Sequence, residues 1–131
     1  MMTKEHSNVS LVKRLDPGNI AESADLFAEN FVWRFFNPSL PNVQGDYVGL
    51  NGLQTFFSQL DALTNGSFQV EPISIFACGD ELVVTHVKDR MIWQGRPIEI
   101  DAVVVWRIVD DCIVEAWDIP SIYTDHLQTA A

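Results

Sequence analysis

Cationic side chains are scarce in this sequence. Eight Lys and Arg residues stand against eighteen Asp and Glu residues in a chain of 131, which gives a formal net charge of −10. No segment gathers the few basic residues into a patch, and a protein of this charge repels phosphate backbones and anionic lipid surfaces. We therefore expect no nucleic-acid partner and no membrane partner, and we expect the ligands to be neutral or cationic.

Cysteine and histidine are also rare, with two and three residues respectively. Cys78 and Cys112 lie far apart without CxxC spacing, which is typical of reduced thiols in a cytosolic protein. A metal site needs several clustered ligands, and the histidines occur in neither HxH nor HExxH spacing. Gly-rich phosphate loops and GxSxG motifs are missing as well, so we expect no metal and no other cofactor.

Long apolar runs are absent too. The N-terminal segment MMTKEHSNVSLVKR lacks the apolar core of a secretory signal, and no run approaches the length of a transmembrane helix. These observations predict a cytoplasmic location. Hydrophobic residues still make up 47% of the chain, which is enough for a single folded domain over residues 1–131.

Three helices are predicted in the first half of the chain. Residues 1–15 show a weak helical pattern, which the turn formers in DPGN bring to an end. Asn19 can cap a second helix, with Glu22 placed as in a capping box, and this helix would run to about Glu29. Apolar residues at helical spacing predict a third helix in LNGLQTFFSQLDAL, residues 50–63.

Strand patterns account for most of the remaining sequence. Residues 31–36 and 43–48 contain two early strands, the second of them short. Four strands follow the third helix at about 67–78, 81–94, 98–109 and 112–120, with turns at CGDE, QGRP and VDDC. Helices first and an antiparallel meander afterwards predict an α+β fold, in which a curved sheet wraps around the helices.

Two aspartates interrupt apolar strand faces. In strand 81–94, alternation places Asp89 on the same face as Val83 and Val87. Asp118 lies in IVEAWDIPS, residues 113–121, among residues that suit a packed sheet. Buried carboxyls have raised pKa values, and an interacting pair titrates as a unit with one member protonated. Such a pair would supply a general acid beside a general base.

The sequence pattern is compatible with more than one environment for these two aspartates. Each aspartate could instead lie near a strand end or bulge, where water or a backbone N–H would satisfy its carboxyl. A two-residue loop at DD would set Val103 opposite Asp118, and a three-residue loop would set Val104 there. His86 falls on the other face of its strand and is expected at the surface or an interface, whereas Trp33 could turn its indole N–H into a cavity.

The order of elements and three segments resemble the nuclear-transport-factor-2-like superfamily, which includes SnoaL-like polyketide cyclases, ketosteroid isomerases and limonene-type epoxide hydrolases. The segments are LFAENFVW, YVGLNGLQTFF and VVVWRIVDDCIVEAWD, and together they extend over nearly the whole chain. The resemblance implies a cystatin-like α+β barrel: a cone-shaped curved antiparallel sheet wrapped around N-terminal helices. It also implies an apolar internal pocket and a homodimer.

The ketosteroid isomerase site is not reproduced. In that comparison the oxyanion-hole acid falls on Val104, the base falls near Phe35 or Asn37, and the tyrosine of the first helix falls near Leu11. The resemblance therefore does not imply steroid isomerisation by that mechanism.

The epoxide hydrolase site is matched in part. LVVTHVKD and IVEAWD place its two carboxylates on Asp89 and Asp118. The arginine that bridges them falls on Val87, and the water-positioning Tyr and Asn fall on Trp33 and Phe35. Two carboxyl groups remain from this set, and without the arginine they should interact more strongly with each other.

The residues and the resemblance lead to one hypothesis and one alternative. SnoaL-like cyclases rely mainly on the last-strand Asp, which Asp118 matches, although Ala116 stands where relatives often carry His. We predict a cofactor-independent isomerase, cyclase or epoxide-hydrolase-like enzyme for a small, largely apolar oxygenated molecule, with Asp118 as acid/base and Asp89 as its partner. The predicted wall residues are Trp33, Phe35, Val87, Met91, Val104 and Trp106. The alternative is a non-catalytic ligand-binding or dimerisation module.

Overall fold

The computed structural model describes residues 5–124 and 126–127 of the chain. Its helices are α1 (Ser7–Lys13), a 3₁₀ helix (Ile20–Leu26) and α2 (Gly49–Leu63). The strands are β1 (Phe27–Phe35), β2 (Gly45–Val48), β3 (Gln69–Cys78), β4 (Leu82–Trp93), β5 (Arg96–Val109), β6 (Cys112–Pro120) and β7 (His126–Leu127). No helix in these residues has the length and apolar character needed to span a bilayer.

The strands form one curved sheet in the order β2-β1-β6-β5-β4-β3, with β7 paired to β5. Strands β3 to β6 make the predicted antiparallel meander. Strand β1 runs antiparallel to β2 but parallel to β6, so this one pair departs from an all-antiparallel sheet. The predicted α+β fold is confirmed, and β7 is an addition that the sequence pattern did not indicate.

Two predicted helices agree with the structure in position. α2 begins at Gly49 and buries Leu53, Phe56 and Leu60 on one face, as the helical spacing predicted. α1 is a shorter helix within the predicted 1–15, and residues 1–4 of that prediction lie outside the described residues.

The second predicted helix is wrong in type and length. Instead of an α-helix from Asn19 to about Glu29, the chain forms a 3₁₀ helix that ends at Leu26, and the Asn19 side chain makes no capping hydrogen bond. The chain then enters β1, where Phe27 is buried and pairs with Ile113 of β6. Pairing with a distant strand therefore outweighs the local helical pattern.

A bulge sets the register of Asp118. Asp110 and Asp111 form a two-residue turn, both with positive φ (51° and 63°), as tight hairpin turns with a right-handed twist require. Without a bulge this turn would set Val103 opposite Asp118. Ile108 of β5 pairs with Ile113 of β6, but the preceding residue of β5, Arg107, pairs with Glu115. Val114 is therefore the extra residue of a β-bulge, which shifts the register by one residue. Val104 therefore faces Asp118, and the expectation that a two-residue loop brings Val103 there is wrong.

The sheet has one apolar face and one largely polar face. The inner face packs on the helices and supplies most of the core together with Leu53, Phe56 and Leu60. The outer face carries polar pairs between neighbouring strands, among them the hydrogen-bonded pair His86–Asp101 and the ion pair Arg107–Glu115. The inner face is therefore where a ligand cavity could form.

Candidate functional site

A cavity of about 300 Å³ lies between the helices and the inner face of the sheet. Its volume is at the lower end of the range of about 300–1,000 Å³ that small-molecule sites occupy. The buried lining residues include Leu53, Trp33, Val104 and Asp118, and the exposed ones include Lys13, Pro17, Pro72, Ile73 and Ser74. The exposed residues mark the rim, where the cavity reaches the surface between α1 and β3.

Asp118 is the most buried carboxyl of this wall. It lies within β6 and not at its end, with Val104 of β5 and Phe35 of β1 as its backbone neighbours. Its relative exposure is 9%. Burial in this apolar environment raises the pKa of the Asp118 carboxyl well above its ordinary value, and the charge of Asp89 raises it further. The neutral form of Asp118 is therefore favoured more strongly than that of an exposed aspartate.

Asp89 lines the same cavity from β4, paired with Ile100 of β5 and Val70 of β3. Burial raises the pKa of its carboxyl to about 7. Among the described residues, no group donates a hydrogen bond to the side chain of Asp89 or of Asp118. Asp89 thus changes charge near neutral pH without a protein partner for its ionised form.

The two carboxyls belong to different parts of the wall. β5 separates their strands, and their partners on β5, Ile100 and Val104, are four residues apart. Asp89 and Asp118 share no hydrogen bond, and they interact through their charges. The two carboxyls therefore lie at different points of one cavity wall and do not share a proton through a direct hydrogen bond.

Aromatic rings from the sheet and α2 make up much of the remaining wall. Trp33 lies 5.6 Å from Trp106 and 5.5 Å from Phe56, measured between ring centroids. The indole N–H of Trp106 donates to the Thr85 hydroxyl at 3.1 Å, and that hydroxyl donates to the Val104 carbonyl at 3.2 Å. The Trp33 indole nitrogen is buried without a hydrogen-bond partner. Such an unpaired buried donor costs about 1–3 kcal/mol.

Four predicted wall residues line the cavity, namely Trp33, Val87, Val104 and Trp106. Phe35 and Met91 are not among its lining residues. Phe35 packs instead in the core, with its ring centroid 4.8 Å from that of Phe56. Met91 lies two residues beyond Asp89 on β4, past the part of the strand that borders the cavity.

The contribution of α2 to the wall was not predicted. Leu53, Phe56, Phe57 and Leu60 all line the cavity. Their helical spacing indicated a buried helix face, but nothing in the spacing shows which strands that face meets. His86, by contrast, lies on the outer face as expected, where its ring nitrogen is 2.8 Å from an oxygen of Asp101.

Metal-binding groups are not gathered at this site. No three His, Cys, Asp or Glu side chains in residues 5–124 and 126–127 are placed to bind an ion together. Both cysteines are free thiols, Cys78 exposed and Cys112 partly buried. Among the described lining residues, the acidic groups of the cavity are the two carboxyls of Asp89 and Asp118.

Several solved structures share this architecture of a curved sheet wrapped around helices. Bal32a, from a soil-derived mobile gene cassette, matches with a TM-score of 0.76 at 18% identity over 86% of this chain and 88% of its own. A nuclear-transport-factor-2-like protein from Anabaena variabilis matches at 0.70 and 18% identity, over 92% and 95% of the two chains. A protein from Jannaschia sp. CCS1, assigned as a SnoaL-like polyketide cyclase, matches at 0.70 and 14% identity, over 92% and 90%.

These identities are low, so the structural likeness establishes the fold alone. The family model of the SnoaL-like domain matches residues 10–116, most of the chain, and the protein belongs to this family. Comparison with curated protein sequences finds no significant match.

Proposed function

We propose that this SnoaL-like protein is a cofactor-independent acid/base enzyme that acts on a small, largely apolar oxygenated molecule bound in the internal cavity. The observation that carries the proposal is the placement of Asp118 and Asp89 on one apolar wall, where no group of the described residues neutralises them. Stability alone does not account for two such groups, because each costs free energy to bury. Perturbed carboxyls in a cavity are typical of functional sites.

The two carboxyls suit different roles. Burial and the charge of Asp89 raise the pKa of Asp118 well above its ordinary value, which suits it to donate a proton to a ligand oxygen. Asp89 ionises near neutral pH and can accept a proton from a carbon beside a carbonyl group, or from an attacking water. Removal of a proton at one point and delivery at another would complete an isomerisation or an aldol-type cyclisation. With water as the nucleophile, the same pair would open a strained ether.

The apolar wall supports this division of roles. Charges interact more strongly where water is excluded. The protonation state of each carboxyl therefore has a larger effect on the energy of a bound molecule here than it would have at the surface. The volume of about 300 Å³ limits the ligand to a small molecule. The aromatic rings of Trp33, Trp106 and Phe56 suit a hydrocarbon skeleton, and the Asp118 carboxyl suits its oxygen.

The proposal is tested by proton exchange, which requires no knowledge of the natural substrate. α-Tetralone is incubated with the protein in D2O, and loss of its α-proton signals is followed by NMR; opening of cyclohexene oxide is measured in parallel. We expect one of these reactions to be accelerated. Asp118→Asn, which keeps the side-chain size, should abolish the acceleration.

Asp101→Asn is the matched control, because Asp101 is a carboxyl on the outer face of the adjacent strand. It should leave the rate unchanged. Equal rates for the wild type and Asp118→Asn would contradict the role of Asp118. Binding of both probes without any rate enhancement would favour the alternative, a ligand-binding module without catalysis.

We also propose that a second copy of the chain covers the outer face of the sheet. A row of apolar side chains crosses four strands there: Phe76, Val84, Val105 and Trp117. Polar pairs flank the row on both sides, the hydrogen-bonded His86–Asp101 on one side and the ion pair Arg107–Glu115 on the other. A face with an apolar centre and both signs of charge at its edges can pair with its own copy about a two-fold axis.

Light scattering after size exclusion tests the homodimer. The wild type should have twice the mass of one chain at micromolar concentration, and Val105→Glu should shift it to the monomer mass. Leu63→Glu, on the exposed end of α2, is the control and should leave the dimer intact. A monomeric wild type would contradict this proposal without affecting the cavity.

A further inference from the structure

Among the described residues, no cationic side chain pairs with a carboxyl of the cavity. Lys13 is the one cationic side chain among the described lining residues, and it is exposed at the rim, where it pairs with Glu5. Lys88 and Arg90 flank Asp89 in sequence but alternate to the outer face, where both pair with Glu99. Within the part of the chain that the structure describes, the titratable groups that line the cavity are therefore Lys13, Asp89 and Asp118.

The wall around these carboxyls also suits a positive charge. Five aromatic residues line the cavity: Trp33, Phe56, Phe57, Phe68 and Trp106. The faces of such rings attract cations, and Trp attracts them most strongly. A net charge of −10 on the whole chain raises the local concentration of cations at the rim. Two independent features, unpaired carboxyls and an aromatic wall, thus favour the same kind of ligand.

We propose that the cavity binds apolar primary amines as monocations, with the ammonium group paired to Asp89 and the hydrocarbon part against the aromatic wall. Such ligands would occupy the same cavity as a ketone or an epoxide and would compete with them. This binding involves no reaction and does not depend on the enzymatic activity proposed above.

The pH dependence of binding follows from the charge of Asp89. The amine needs the ionised carboxylate, whose fraction rises from about one-eleventh at pH 6 to about ten-elevenths at pH 8 for a pKa of about 7. Apparent affinity scales with the fraction of the competent form, so it should rise about tenfold over this range. A primary alkyl amine stays protonated at both pH values, as a lysine does.

Calorimetry with 2-aminoindane and its neutral isostere 2-indanol tests the proposal. The wild type should bind the amine about tenfold more tightly at pH 8 than at pH 6, and at pH 8 it should bind the amine more tightly than the alcohol. The alcohol should gain no affinity over the same range. Asp89→Asn should remove both the pH dependence and the preference for the amine.

Asp101→Asn is again the control, since it removes one negative charge from the molecule but none from the cavity. It should leave the preference for the amine in place. An amine that binds no more tightly than the alcohol at pH 8, or a preference that survives Asp89→Asn, would overturn the proposal. If the alcohol binds and the amine does not, the amine site is refuted while the proposed enzymatic function stands. If neither probe binds, the amine site is refuted, and the enzymatic function is decided separately by the exchange and epoxide assays.

Discussion

Replacement of Asp89 by Asn should stabilise the fold and weaken the dependence of its stability on pH. The carboxyl has an ordinary pKa of 3.8, which rises to about 7 in the folded protein. At a pH between these two pKa values, the carboxyl is ionised in the unfolded chain and protonated in the folded chain. The free energy of unfolding therefore falls as the pH rises from about 4 to about 7, and above about 7 this carboxyl lowers it no further.

The size of this effect follows from the same two values. A difference of about three pH units, at about 1.4 kcal/mol for each, gives about 4 kcal/mol as the upper limit of the destabilisation above pH 7. Water in the cavity and small movements of the wall would lower this figure. Asn cannot ionise and has nearly the same size, so Asp89→Asn should recover much of that free energy at pH 8 and little at pH 4.

Urea unfolding at intervals from pH 4 to pH 8, followed by tryptophan fluorescence, measures the effect. Asp118 has a raised pKa too and contributes in the same direction, so Asp89→Asn should reduce the slope and the double variant Asp89→Asn/Asp118→Asn should flatten it further. Asp110→Asn, at an exposed residue of the turn between β5 and β6, is the control and should retain the wild-type slope. An Asp89→Asn variant with the wild-type slope, or one destabilised at pH 8, would refute the account of buried, unpaired carboxyls.

Two further predictions concern the cavity wall. Thr85→Val keeps the side-chain shape but leaves the Trp106 indole N–H unpaired, so it should lower the free energy of unfolding by about 1–3 kcal/mol in urea titrations. Thr55→Val on the exposed face of α2 is its control and should cost no more than about 0.5 kcal/mol. Phe56→Ala removes a fully buried ring that contacts Trp33, so it should cost about 3–5 kcal/mol by thermal or urea unfolding. Losses below about 1 kcal/mol for Phe56→Ala would contradict its place in the core.

The sequence predicted the parts of the fold that depend on local pattern. The alternation in β4 placed Asp89 and Val87 on the cavity face and His86 on the other. Helical spacing located α2 to within one residue at its start, and the turn residues located the hairpins of the meander. Each of these follows from a period of two or of about 3.6 residues along a short segment.

The parts that sequence pattern missed depend on contacts between distant segments. The bulge at Val114 moves the partner of Asp118 from Val103 to Val104, and no local signal marks it. Phe27 joins β1 because Ile113 of β6 is beside it, although the residues around it suit a helix. Phe35 was expected at the ligand but packs on Phe56, because the position of α2 over the sheet decides which rings reach the cavity.

The central claim is that Asp118 and Asp89 are carboxyls held on an apolar cavity wall with raised pKa values. Titration of their side-chain ¹³C carboxyl signals by NMR tests it most directly, with Asp89→Asn and Asp118→Asn used to assign the signals. The account predicts that Asp89 titrates with a midpoint of about 7 and that the midpoint of Asp118 lies well above the ordinary value of 3.8. Midpoints near 4 for both carboxyls would contradict it.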